Sequence, residues 1–589
     1  MNRRRKGVVV ALVAALALAS AACGSGGAPG AAATGAAVRG GELTVLVSEG
    51  GLARWPTLDP VASGVANHEY RNAIFGQLFT QGPNNKIEPS LATGYTFAED
   101  QLSVTITLRE GVSFSDGTPF NAAAVKANLD RSLDPKNACR CVQLFKPVKS
   151  VETDGDSKVV LTFSRPFPLV IASFLNEAPN WVPSPAALAS MGVDAFGQKP
   201  VGAGPFAVVS NVANQELVLK RNEKYYDTQA PYLDKLTFKT IGSDQTAYAA
   251  LQSGSADVLE GITTVPLLTQ AKQQFTLAPV AAVSVWQLQY NTLKAPLNDQ
   301  RAREALSYAT DAETINKVLF GGLNEKAETP TAPGGLFYQA SIDGYRGFDQ
   351  AKAKELVQQL GGLEVEIMLG GAQEEMQVAE AIKTMWGEAG ITVKAINQEP
   401  LQTRNDNFAS NNWVLDFAFV GNYDPALGLS IDRYFGSDGL NSGVKDPALD
   451  AVLERGRQGK DEATRAAAYQ EAFKILNDKA YNKILFTRQT FNVAAKTVQG
   501  LDQEFPGWPG RRSPARPASG VRSRRTGPGP ARPSTEERKP DGEGAVLLRP
   551  ALPVVLPGQP LGAAAGGARR DRTRLGAVLP GGGEPARGR

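Results

Sequence analysis

Apolar side chains recur along this chain with two different periods, and the switches between them set out an order of strands and helices. In "LSVTITL" (residues 102–108) and "KVVLTFS" (158–164) every second position is apolar, the spacing of a strand buried on one face. Between them, "NAAAVKANLDRSL" (121–133) repeats at three to four residues and predicts a helix, with Asn121 placed to cap it. "ELTVLVS" (42–48) reads as a short apolar strand and "NHEYRNAIFGQLFT" (67–80) has helical spacing. Around Pro200, "KPVGAGPFAVVSN", "QELVLKRN" and "KLTFKTI" give three strands, followed by the helix in "QTAYAALQSGSADVL" with its glycine stop.

Further on, "NDQRAREALSYATDAETINKVLF" (298–320) is one long helix or two short ones. "EVEIMLG", "QEEMQVAEAIKTMWGEAG" and "ITVKAIN" form a β-α-β unit of the kind that builds a parallel sheet. Two more helices, "DPALDAVLERGRQ" and "EATRAAAYQEAFKILNDKA", precede a return to strand in "KILFTRQTFNVAAKTV" (483–498). Such alternation predicts an α/β protein, and 589 residues exceed what one core holds, so at least two lobes are expected.

The two ends speak a different language. "MNRRRK" and "GVVVALVAALALA" form a basic and then an apolar segment too short to span a bilayer as a mature helix, and "SAAC" ends it at Cys23. This order predicts a signal peptide over residues 1–22, and the small residues before Cys23 resemble a bacterial lipobox, which implies lipidation of Cys23. Residues 23–40, rich in Gly and Ala, are expected to be a flexible tether. The protein is therefore expected at the cell membrane, lipid-anchored on the extracytoplasmic face.

From Gly507 onward Phe, Tyr, Ile, Asn, Met, Cys and His are absent, and Arg, Pro, Gly and Ala dominate. Residues 506–589 thus have little with which to offset the entropy of ordering and read as a basic low-complexity tail. Their composition is also that of GC-rich coding sequence read out of frame. An intact frame on resequencing near codons 505–510 would remove that reading.

Charge follows the same division. The formal charge is +3, from 62 basic and 59 acidic side chains. Residues 1–22 hold four bases and no acid, and residues 507–589 hold sixteen bases and six acids. What remains is 42 bases against 53 acids, a net of about −11. An acidic middle argues against a nucleic-acid partner. Enzyme chemistry is equally short of parts: His68 is the one histidine, and G-x-S-x-G, P-loop and HExxH motifs are missing. Neither a metal nor a cofactor is expected. Cys139 and Cys141, in "NACRCVQLF", read as a loop disulfide or an inert pair rather than a metal site.

Several phrases, in this order, resemble the extracellular solute-binding proteins of family 5, the peptide/nickel class that serves ABC importers. They are "PTLDP" (56–60), "IEPSLATGY" (87–95), "TITLREGVSFSDGTPFNAAAVKANLDR" (105–131), "KPVGAGPF" (199–206), "LKRNEKYYD" (219–227), "PYLDKLTFKTIGSDQTAYAALQSGSADV" (231–258), "YNTLKAPLNDQRAREALSYATDAETI" (290–315) and "FDQAKAKELVQQLGG" (348–362). The resemblance implies a two-lobed periplasmic-binding-protein-like fold of type II, with an extra domain and a hinge-closing interlobe cleft. By analogy lobe I would comprise residues 41–67, 197–283 and 481–505, the extra domain 68–196, and lobe II 284–480. It implies a monomer that captures a small molecule or peptide and delivers it to an ABC permease. A solute-sensing or chaperone-like lipoprotein on the same scaffold is the alternative. "FSDGTPF" (114–120) would be a structural strand-to-helix corner in the extra domain.

For the cleft, the resemblance points to "NNWVLDFAFVGNYDPALGL" (411–429). Peptide-binding members resemble G-W-x-x-D-Y-x-D-P here, and the first aspartate pairs with the ligand's α-amino group. Aligning on Asp424 and Pro425 leaves Gly421 at that position, so a different anchor or an uncharged ligand is expected. Trp413, Asn422, Tyr423 and Asp424 are the first ligand-binding candidates, with Trp286 at the crossover into lobe II and Glu49 after the first strand. Aromatic faces with a carboxylate suit an amine or a sugar.

Overall fold

A computed structural model describes residues 39–48, 55–62, 68–82, 86–175, 177–280, 284–333, 335–421 and 427–498. The chain divides into two compact units, Met1–Ser519 and Gly520–Arg589, and every described residue belongs to the first.

Strands in chain order are β1 (Glu42–Ser48), β2 (Phe79–Gln81), β3 (Ile87–Pro89), β4 (Ala92–Phe97), β5 (Ser103–Leu108), β6 (Val148–Asp154), β7 (Lys158–Phe163), β8 (Phe206–Val212) and β9 (Glu216–Arg221). They continue with β10 (Lys235–Ile241), β11 (Val258–Ile262), β12 (Thr276–Val280), β13 (Ser284–Tyr290), β14 (Leu363–Leu369), β15 (Ile391–Gln398), β16 (Leu415–Gly421), β17 (Asn482–Thr487) and β18 (Thr490–Ala494). A seven-stranded sheet in the order β12-β18-β11-β1-β10-β9-β8 is the floor of lobe I. A five-stranded sheet, β15-β14-β16-β13-β17, is that of lobe II, and β4-β5-β7-β6 forms the sheet of the extra domain.

The four-stranded sheet shows directly how sequence period becomes structure. In β5 and β7 the buried residues are the alternate ones, Val104, Ile106, Leu108 and Val159, Leu161, Phe163. They pack under the helix Ala122–Leu133, whose Val125 and Leu129 face the same core. Asn121 caps that helix, its Oδ1 accepting from the Ala124 amide at 3.1 Å. The "FSDGTPF" corner is closed by Asp116, which accepts from the Thr118 amide (2.8 Å), the Thr118 hydroxyl (2.6 Å) and the Ser184 hydroxyl (2.8 Å). Gly117 sits at φ +94°, where a side chain is strained, and Phe114 and Phe120 meet edge to face at 5.6 Å. Cys139 and Cys141, buried in the same domain, are joined by a disulfide.

The stretch 298–320 is two helices, Gln300–Tyr308 and Ala312–Phe320, because Asp311 caps the second through the Thr314 amide. The last strand-like stretch also divides. β17 pairs with β13 in lobe II and β18 pairs with β11 and β12 in lobe I, so the chain re-enters lobe I at Thr490 rather than at residue 481. The helix His68–Phe75 packs Tyr70, Ile74 and Phe75 into the lobe I core, together with Trp181 and Phe196. These parts of residues 68–196 therefore belong to the lobe I packing. Among the described residues two passages link the lobes: the one from β12 to β13, and Arg488–Gln489 between β17 and β18.

Candidate functional site

The boundary between the two large sheets is where a ligand can be enclosed by their relative movement. On the lobe II side three strands, β14, β15 and β16, run parallel, and ligands of open α/β sheets collect beyond the carboxyl ends of such strands. β16 ends at Gly421, paired with Ser284, the first residue of β13. The last described residue of β16 therefore lies beside the start of β13, next to the passage between the lobes. Asn422, Tyr423 and Asp424 lie outside the described residues, as do Glu49 and Cys23.

The two tryptophans are placed differently. Trp286, the third residue of β13, is close to the passage, yet it is fully buried and stacked on Phe417 with ring centroids 5.0 Å apart. Arg488, in the passage itself, holds its guanidinium 6.0 Å from the Trp286 ring. Trp413 precedes β16, whereas Gly421 ends it, and the six steps of the strand alone span roughly 20 Å. Its ring is buried against Met368 and Phe408, 5.2 Å from the latter, and its Nε1 has no hydrogen-bond partner among the described residues. The structure thus places Trp413 at the opposite end of β16 from Gly421, with the length of the strand between them.

Charged side chains that the periodicity did not single out surround the carboxyl end of β14. Glu374, on the first turn of the helix Gln373–Glu388, pairs with Arg488, which donates from Nε to Glu374 Oε1 at 2.8 Å. The Arg488 amide also donates to Ser284 O (2.8 Å), and Gln489 donates from Nε2 to Val280 O (2.7 Å). Lobe II is thereby clamped to both passages. One turn deeper, Arg404 of the helix Leu401–Ala409 donates from Nε and Nη2 to the two oxygens of Asp416, at 2.9 and 2.7 Å. Glu375 lies beside this pair with its Oε2 buried and without a hydrogen-bond partner among the described residues. Burial pushes the Glu375 carboxyl up to about 7; Arg404 opposes the rise and Asp416 adds to it. The signals in sequence were slight: a charge inside the apolar run "LDFAF", and a Gly-Gly pair between strand and helix.

A second polar cluster lies on the other edge of the same sheet, around Lys483 of β17. Its ammonium sits 4.0 Å from the centre of the Tyr345 ring and donates to Arg346 O, within a crevice also lined by Glu328, Ser307 and Asn482. Burial pulls Lys483 down to about 7. No group of three metal-ligating side chains occurs among the described residues, and none of the described helices is long and apolar enough to cross a membrane.

Comparison with known proteins fits this architecture. The chain is 33% identical over 320 residues to the glutathione-binding protein GsiB of Salmonella typhi, covering 54% of this chain and 61% of that protein. The corresponding protein of Escherichia coli K12 is 32% identical over the same length. The chain thus spans about three fifths of the length of these curated relatives. Among solved structures it resembles the periplasmic binding protein DppA of Helicobacter pylori in complex with the peptide STSA, with a TM-score of 0.70 and 22% identity over 79% of this chain and 95% of that one. It also resembles the binding protein AgaA of A. tumefaciens R10 in complex with agropinic acid, with a TM-score of 0.69 and 24% identity over 80% and 97%. These likenesses establish the two-lobed binding-protein fold. Residues 86–435, more than half of the chain, match the middle part of family 5, and the chain therefore belongs to the bacterial extracellular solute-binding proteins, family 5.

Proposed function

We propose that this protein captures a small, amine-bearing organic solute, a short peptide or a glutathione-like molecule, and hands it to an ABC importer without changing it chemically. The observation that carries this reading is the pair of sheets joined, among the described residues, by two passages, with charged side chains gathered where those passages meet the carboxyl ends of parallel strands. Two bodies on such a link close around a ligand at little internal cost, and the closed form is favoured to the extent that the ligand touches both. A permease that prefers the closed form then receives the solute as the lobes part. Cys23, lipidated, and the 23–40 tether would keep the folded part at the extracytoplasmic face of the membrane. Tyr423, Asp424, Asn422 and Glu49 remain the proposed ligand contacts at the mouth of the cleft, with Trp286 supporting them from behind. Trp413 is proposed only as a support for the helix Leu401–Ala409.

The test is direct. Native mass spectrometry of the full chain, purified without refolding, is expected to show a bound small mass that leaves on denaturation. Isothermal titration with glutathione, dipeptides and tripeptides then ranks the candidates. A folded protein that carries no bound mass and takes none of these ligands would refute the reading.

A further inference from the structure

At the end of β14, an acid and a base converge on one point without pairing. That point is where a Cβ on Gly370 would lie: Glu375 Oε2 is 2.7 Å from it, Glu375 Oε1 3.3 Å and Arg404 Nη1 3.2 Å. Glu375 and Arg404 make neither a hydrogen bond nor an ion pair with each other. Arg404 spends Nε and Nη2 on Asp416, which leaves Nη1 for another acceptor. Glu375 is 3% exposed, and its Oε2 has no hydrogen-bond partner among the described residues. The Ala372 backbone and Arg404 favour the charged form of this carboxyl, but its Oε2 stays buried without a partner, and such an atom calls for an explanation. The neighbouring Gly371 has open space where its side chain would be, so the backbone over the pair is bare. The next acid along, Glu374, already grips Arg488 of the passage between the lobes.

We propose that Glu375 and Arg404 form a subsite for the zwitterionic headgroup of an α-amino acid, receiving the ammonium at Glu375 and the carboxylate at Arg404 Nη1. This rests on the solute-capture reading above and narrows it to ligands that carry both charges on one carbon. A free amino acid has such a headgroup, and glutathione has one at its γ-glutamyl end; an ordinary dipeptide carries its charges too far apart. Glycine at 370 is then a requirement, since a methyl there would occupy the point on which the two side chains converge. The subsite also supplies a carboxylate to a chain that has Gly421 at the end of β16. The charged groups facing Glu375 are Arg404, Asp416 and Glu374, so its ionisation on taking up an ammonium releases a proton near neutral pH.

The experiment compares glutathione with its analogue lacking the α-amino group, by titration calorimetry on the full chain and on the variants Glu375→Gln and Gly370→Ala. Wild type is expected to bind glutathione at least tenfold more tightly than the analogue. Glu375→Gln should bind both alike, with its melting temperature not lowered. Gly370→Ala should lose glutathione binding to a similar extent. In buffers of different ionisation enthalpy, proton release should accompany glutathione binding to wild type and vanish in Glu375→Gln. Glutathione bound by wild type without discrimination, or discrimination kept by Glu375→Gln, overturns the subsite while leaving solute capture intact. A wild type that binds no amino acid, peptide or glutathione overturns both.

Discussion

The extra domain and lobe II are each built on one sheet, but the two sheets treat charge in opposite ways. Around β4 to β7 the buried positions are apolar, and the charged residues of β6 and β7, such as Glu152, Asp154 and Lys158, point outward. In lobe II, Asp416 of β16 and Lys483 of β17 are buried within the sheet, and Glu375 and Arg303 are buried beside it. A buried ion must be paired or neutralised, so each of these marks either a fastening or a site. The contrast separates a sheet that holds shape from one that keeps buried charges, beside which the proposed solute site lies.

The comparison breaks most visibly at Asp416. Asp416→Ala leaves the Arg404 guanidinium buried without its bidentate partner and is expected to cost ~3–5 kcal/mol, read from urea unfolding. If the loss is under ~1 kcal/mol, the lobe II charges are not fastened as described.

Glu375 should behave in the reverse sense. Its folded pKa of about 7 lies above the unfolded value of 4.5, so the folded state holds its proton through that window. Stability therefore falls as pH rises from about 4.5 to 7, and the penalty is complete above it. Glu375→Gln should gain up to ~3 kcal/mol at pH 8 and nothing at pH 4, as melting temperatures across that range would show.

Lys483 gives the mirror image. Its pKa is depressed from 10.5 to about 7, so its penalty is complete below pH 7 and disappears above about pH 10.5. Lys483→Met should be more stable than wild type by ~2 kcal/mol at pH 6, with the difference shrinking towards pH 10.

In the extra domain the effects should be smaller and indifferent to pH near neutrality. Asp116→Ala removes the acceptor for Thr118 and Ser184 and is expected to cost ~1–2 kcal/mol. Solute binding should stay unchanged, and a loss of affinity would bring this corner into the site. Smallest of all is the contact between the two regions, where Arg165 of the extra domain pairs with Glu454 of lobe II, both partly exposed. A double-mutant cycle on that pair should return ~0–1 kcal/mol, less at high salt.

Much of this was legible in the chain itself. The alternation in β5 and β7, the Asn121 cap and the Asp116–Gly117 turn are local, and the backbone resolves them within a few residues. The order of strands and helices, read with the family phrases, carried the two-lobed fold. Less legible was the stretch 483–498, since nothing local says that β17 and β18 belong to different sheets. Trp413 and Trp286 looked alike as aromatic candidates, yet one packs on Phe408 before β16 begins and the other is stacked on Phe417 inside the sheet.

The sequence alone determined the periods, the caps, the turns and the change of composition at the two ends, because each depends on neighbours a few bonds away. Tertiary structure decided which charges are buried and what they face. Gly370 and Glu375 are neighbours in the chain, but Arg404 is 29 residues beyond Glu375 and reaches them because β14 and β16 lie side by side, with Arg404 held by Asp416 of β16. Whether a carboxylate is a surface charge or an anchor depends on the solvent it has lost, and only the folded chain sets that.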